Sequence, residues 1–379
     1  GGAIVCAQYI GQRNKEKANE SARQVLFIIT AISLAVSLVC LIFQKPLLRL
    51  IFGSVDAEVM RASETYFFYT ALSFPFIAAY DSAASIFRAQ DNTRGPMLIS
   101  MISNVMNIVG NAVMIWVFHM GVAGAALSTL ISRVFCAVVV LIQLRKDRQE
   151  IVVRDYFKIR PNWSMIRRIL GIGIPSGVEN SMFQLGKLAI QSTVSTLGTA
   201  AIAAQAMTNI LENLNGIAAI GVGVGLMTIV GQCLGAGRKD EAVYYIKKLC
   251  VIAEIVVLVS CLVVFALTKP VTILGGMEKQ SADMCFHMIM WITIVKPFVW
   301  TMAFIPGYGL RAAGDVRFSM ITSCCTMWAC RFCLCVFLIR GLGFGPMGVW
   351  IGMFADWTVR AIIFTWRFHS RKWLNHKVI

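Results

Sequence analysis

Long apolar runs alternate with short polar links along almost the whole chain. A helix rises 1.5 Å per residue, so about 20 apolar residues cross roughly 30 Å of hydrocarbon. Ten complete spans are predicted, near 22–43, 64–86, 96–118, 122–143, 165–195, 200–230, 243–267, 284–308, 318–339 and 346–366. Barrel strands would be about ten residues long and would alternate apolar with polar positions. The runs do neither, and the fold class is an all-α polytopic membrane protein.

The polar links recur. Gln8-Tyr9-Ile10-Gly11, with Ala18 beyond it, returns as Gln232-Cys233-Leu234-Gly235, with Ala242 beyond. Arg88-Ala89 and Arg94 return as Arg311-Ala312 and Arg317, and Gly121-x-x-Gly124 returns as Gly345-x-x-Gly348. The offset is 223 or 224 residues each time, so the repeated unit is a membrane bundle. Duplicated bundles are the usual architecture of secondary transporters, with the substrate site between the copies. Laying the second copy, which begins near Ser164, over the first places the first helix and most of the second before Gly1. The expected whole has twelve helices in two six-helix lobes related by a pseudo-twofold along the membrane normal, with about ten and a half helices here. The N-terminal lobe is placed at 1–143, a cytoplasmic linker closed by Pro161 at 144–163, and the C-terminal lobe at 164–379.

Composition agrees: 58% of residues are hydrophobic and 14% charged, with a mean hydropathy of +0.71, too apolar for a soluble domain of this size. The net charge of +16 is explained by topology. Lys and Arg near helix ends are retained in the cytoplasm. One alternating set of links carries 24 of them against six on the other side. This places the Gln/Gly links, the linker and the C-terminus in the cytoplasm of a multi-pass protein of the inner or plasma membrane. With no soluble basic domain, nucleic acid is not an expected partner. The lipid bilayer is, and a monomer is expected. Most of the twelve cysteines fall in spans, where they act as small apolar residues. Gly221-Val222-Gly223-Val224-Gly225 lacks the preceding strand of a nucleotide loop and reads as close helix packing or a flexible joint.

Gln232-x-x-Gly235-Ala236-Gly237 followed by a charged stretch with Ala242, the links led by Arg88 and Arg311, and Pro175 early in the seventh helix together resemble the multidrug and toxin extrusion (MATE) family. The resemblance covers the whole chain. It implies a secondary active exporter that exchanges Na⁺ or H⁺ for organic, often cationic, compounds, with no other cofactor.

An ionisable residue at mid-bilayer costs about 2.5–3.5 kcal/mol and marks function or pairing. Glu179 stands one turn after Pro175, with Lys187 two turns further on, and Gln205, Asn209 and Glu212 recur at i, i+4 and i+7 with Asn213 beside them. A carboxylate beside amide oxygens suits Na⁺ or a proton. Glu179 and Glu212 are therefore the leading coupling residues and a candidate Na⁺ site, a buried pair with Lys187 being the structural alternative. Glu179 also resembles the acid many family members carry in that helix. In the first lobe Asn104, Asn107 and Asn111 share a face, and Asp81 lies six residues after Pro75. Asn107 and Asn111 resemble an Asn-x-x-x-Asp pattern of some members, with Asn111 in place of the acid, and pairing of Asp81 with Arg88 is the bland reading. Lys296 stands before Pro297 in a helix where several members have a carboxylate, as a substitute for the ion or as a partner of Glu179 or Glu212. Asp356 and Arg360, at i and i+4, are expected to neutralise each other, and Arg133 and Arg331 to anchor helix contacts.

The alternative transporter is a lipid-linked saccharide flippase of related architecture. An embedded enzyme is disfavoured because His119, His287, His369 and His376 are scattered at helix ends.

Overall fold

A computed structural model describes residues 1–379. It is built from helices with no strand. In chain order they are α1 (Gly2–Gly11), α2 (Lys15–Ile42), α3 (Gln44–Phe52), α4 (Ala57–Ala89), α5 (Arg94–Val117), α6 (Val122–Leu144) and α7 (Trp163–Val194). Then follow α8 (Thr199–Gly235), α9 (Lys239–Leu274), α10 (Lys279–Ala312), α11 (Val316–Gly341) and α12 (Met347–Ser370). Every predicted span falls on one of them. The helices outrun the apolar runs because charged turns continue the helix beyond hydrocarbon. In α2 the Asn14 side chain caps the start seven residues early, its Oδ1 accepting from the Lys17 N–H at 3.1 Å. Short α3 was not foreseen.

Eight helices are long and apolar enough to cross a membrane; α4 and α7 are long but more polar. Their polarity comes from residues such as Asp81, Glu179 and Lys187. Leu50, Leu274 and Phe298 are among many large apolar side chains left on the outside, which is the reverse of a water-soluble surface and matches a lipid solvent.

The chain forms two compact units, Gly2–Ile169 and Leu170–Ile379, which part inside α7. In the first, α4 packs on α1, α2 and α6; in the second, α10 packs on α8, α9 and α12. The repeat extends to the backbone. Left-handed residues stand at Arg13 and Gly237, Gly53 and Gly276, Asp91 and Gly314, His119 and Gly343, and Gly121 and Gly345, each pair 223 or 224 residues apart. The wide π-helical turn at Val113–Val117 likewise recurs at Phe337–Gly341.

Residues 145–162 form a strap on the first unit. Gln24 holds it from both sides of its amide, donating to the Arg160 carbonyl at 2.8 Å and accepting from the Asn162 N–H at 3.0 Å. Asn19 and Gln90 accept the N–H groups of Val152 and Ile151 at 3.0 Å. Its own Ile151 and Val153 are buried. Tyr156 donates to the Leu141 carbonyl, and burial pushes its phenol up to about 12.

Candidate functional site

The second unit holds an open cavity of about 340 Å³ lined from α7, α8, α10, α11 and α12. Apolar helices form its outer wall, and the few ionisable side chains of the spans turn inward to find partners. Glu179 is buried and accepts from Arg311 Nη2 at 2.7 Å. Glu212 accepts from Lys296 Nζ at 2.8 Å. Lys296 is wholly buried, with its ammonium 5.0 Å from the Trp300 ring centre and 6.0 Å from that of Trp357. The two rings and the carboxylate together replace its lost hydration. Gly216, one turn after Glu212, lies against the same ammonium; a Cβ there would stand in ordinary contact with it at 3.5 Å.

A third group lies beside these. Asp356 Oδ2 is 2.8 Å from Arg331 Nη2, and Asp356 Oδ1 is 3.4 Å from Arg360 Nη2. Arg360 also donates to Ser323 and Thr326 at 3.2 Å each. Arg331 sits in a wide π-helical turn, Met327–Cys333, whose extra residue per turn re-aims its neighbours. Lys187 lines the same cavity. Its Nζ lies 4.9 Å from the Phe183 ring centre, and the Arg331 guanidinium lies at the same distance from that ring. Phe304, Tyr308 and Met353 complete an aromatic and thioether wall.

Glu179, Glu212, Lys187 and Asn213 thus meet at one cavity, and Lys296 stands directly behind it. The α8 stripe divides. Gln205 is buried and turned toward α12, its Oε1 accepting from Trp350 Nε1 at 3.1 Å, and its Nε2 reaches Asn209 Oδ1 at 3.5 Å. Neither lines the cavity. The partners of the two acids are Arg311 and Lys296, and Lys187 pairs with neither. Arg311 was assigned to a cytoplasmic link from its place in the repeat, and that hid its reach into the cavity. Arg331 was expected only to anchor helices. The signal that could have found it is that Arg133, Lys187, Lys296, Arg331 and Arg360 are the basic residues more than five residues from either end of a predicted span, four of them in one lobe.

In the first unit, Asn111 donates to Asn107 Oδ1 at 2.9 Å, and Asn107 donates to Thr129 at 3.4 Å. These bonds tie α5 to α6. Asn104 is exposed. Arg133 donates to Ser73, linking α6 to α4. Asp81 is exposed, and Arg88 donates to Ser85 at 3.1 Å. No group of three or more His, Cys, Asp or Glu side chains is arranged to hold a metal ion.

The MatE family model matches residues 1–113 and 175–337. The chain is 25% identical to a probable multidrug resistance protein NorM of Thermotoga maritima, over all of this chain and 82% of that protein. It is 27% identical to an uncharacterized transporter YisQ of Bacillus subtilis, over 99% and 82%. The fold superposes with a TM-score of 0.88 on an outward-facing multidrug resistance MATE family transporter of the MOP superfamily, covering 98% of this chain and 83% of that one at 19% identity. These matches do not support the flippase alternative. With a family model matching most of its length, this multi-pass membrane protein belongs to the MatE family of multidrug efflux transporters and is not an enzyme.

Proposed function

We propose that this protein is a secondary active exporter of small organic compounds, driven by exchange with protons, and that Glu179 and Glu212 carry the coupling. The observation that carries this reading is that each acid is already held by a cation tethered to the protein, Arg311 at 2.7 Å and Lys296 at 2.8 Å. A sodium ion would have to displace a tethered ammonium or guanidinium; a proton needs only to neutralise the carboxylate and release the partner. That release is a change of charge inside a low-dielectric cavity, able to bias one conformation over another. An ion bound equally in both states would drive nothing. Access alternates between the two faces of the membrane, and the basic links and C-terminus lie on the cytoplasmic face.

The test is ethidium and organic-anion efflux from proteoliposomes, with a pH gradient alone or a Na⁺ gradient alone. Efflux under the pH gradient that falls at least about ten-fold in Glu179→Gln or Glu212→Gln, at normal protein content, is expected for an essential coupling acid. Efflux driven only by Na⁺, or unchanged in both variants, overturns the proton reading.

A further inference from the structure

We infer that the cavity of the second unit is an anion site: it takes the carboxylate or phosphate of an organic compound whose apolar or aromatic body lies on the ring wall. The inference rests on the exporter reading for its biological use, since it names the class of compound that reading leaves open.

Charge balance comes first. Glu179 and Glu212 are each matched by one cation, Arg311 and Lys296. Asp356 serves both Arg331 and Arg360, leaving one positive charge over. Lys187 contacts the Phe183 ring and has no carboxylate within ion-pair distance, leaving a second. An open cavity that carries two surplus cations, one buried among Asp356 and its arginines and one on exposed Lys187, is the electrostatic complement of an anion and disfavours a cation.

Donor balance gives the same answer independently. The Nε atoms of Arg331 and Arg360 and the Nε1 of Trp357 are buried, belong to side chains at most 3% exposed, and have no hydrogen-bond acceptor; Asp356 Oδ2 beside them is an unmatched acceptor, so unmatched donors outnumber unmatched acceptors here. All three residues line the cavity. Arg311 Nε is similarly unmatched. Leaving a buried donor unmatched costs about 1–3 kcal/mol, and the oxygens of a carboxylate or phosphate are acceptors of the kind this group lacks. Phe183 carries cations on its ring from both Lys187 and Arg331, which gathers the surplus at one wall.

Size and lining set the rest of the ligand. About 340 Å³ is near the lower end for organic ligand sites, so one ring with an acidic group fits better than a large polycyclic compound. Trp300, Phe304 and Tyr308 line it for that ring, each also carrying a cation, Lys296, Arg360 and Arg311 respectively.

The surplus lies with Lys187 and the Arg331–Asp356–Arg360 group and leaves the Glu179 and Glu212 pairs untouched. Polarity can therefore be tested without coupling. The experiment is calorimetric binding to the purified protein in uncharged detergent, using salicylate, the similarly sized cation benzyltrimethylammonium, and short-chain phosphatidylglycerol as a source of lipid phosphate. Salicylate is expected to bind more tightly than the cation, to weaken about ten-fold or more in Lys187→Glu, and to recover in Lys187→Arg, as loss and return of one charged contact require. If only phosphatidylglycerol binds with the same dependence on Lys187, the anion site stands and its source is a lipid headgroup. Tighter binding of benzyltrimethylammonium, or salicylate binding indifferent to Lys187→Glu, overturns the inference. Proton-driven efflux that fails while salicylate still binds removes the exporter reading and leaves the anion site in place.

Discussion

Lys296 shows what one residue demands of its surroundings. A wholly buried ammonium is tolerable only with its charge matched, and Glu212 and two indole rings supply the match. Glu212→Met alone should therefore destabilise the protein by about 3 kcal/mol, since it strands the cation, whereas Glu212→Met with Lys296→Met should recover most of the loss. Thermal unfolding of the three proteins in detergent measures this, and a double variant no better than the single one would mean the pair is not acting as a pair. The presence of charge in the membrane was legible from the sequence at this scale, because each ionisable residue stands out in an apolar run. The choice of partner was legible only in part. The expected pairing of Lys296 with Glu179 or Glu212 is met at Glu212, but spacing along one helix says nothing of what the neighbouring helix presents, so Glu179 was set beside Lys187 and not Arg311.

At the scale of elements the apolar runs placed every long helix, and polar residues blurred only the ends. What the runs could not reveal is how closely helices approach. A Cβ on Gly352 of α12 would stand 2.8 Å from the Arg331 carbonyl oxygen in α11 and 3.4 Å from the Cys335 nitrogen, so backbone meets backbone there. Gly352→Ala is expected to cost about 1–3 kcal/mol and to shift Arg331, weakening salicylate binding along with stability. Gly221, with nothing within 4 Å of a Cβ, should accept Ala without loss, although it lies in the same glycine-rich stretch as Gly223, where a Cβ would meet the Tyr308 ring at 2.5 Å. The sequence could not separate these glycines. Circular dichroism melts of both alanine variants distinguish them. The wide turn at Met327–Cys333 was equally hidden, since an extra residue in a turn leaves an apolar run looking continuous.

Across the whole molecule, the 223 to 224 residue repeat was the clearest message of the sequence, and it fixed the order of helices in both units. It also misled, because two copies of a backbone need not carry the same chemistry. Under those offsets Lys296 falls on Ser73 and Arg331 on Asn107: the first copy keeps neutral hydrogen-bonding residues where the second places charge. The shared backbone reversals have a practical consequence. At the five shared positions the second copy has glycine throughout, while the first holds Arg13, Asp91 and His119 at three of them. A side chain forced into that conformation costs about 1–2 kcal/mol, of which part is returned by the greater freedom glycine gives the unfolded chain. His119→Gly and Arg13→Gly should each raise stability by about 0.5–1 kcal/mol, read as a higher melting temperature with salicylate binding unchanged. A hardier version of this protein is thus to be engineered first in its first half, where the shared turns still have something to gain and the cavity has nothing to lose.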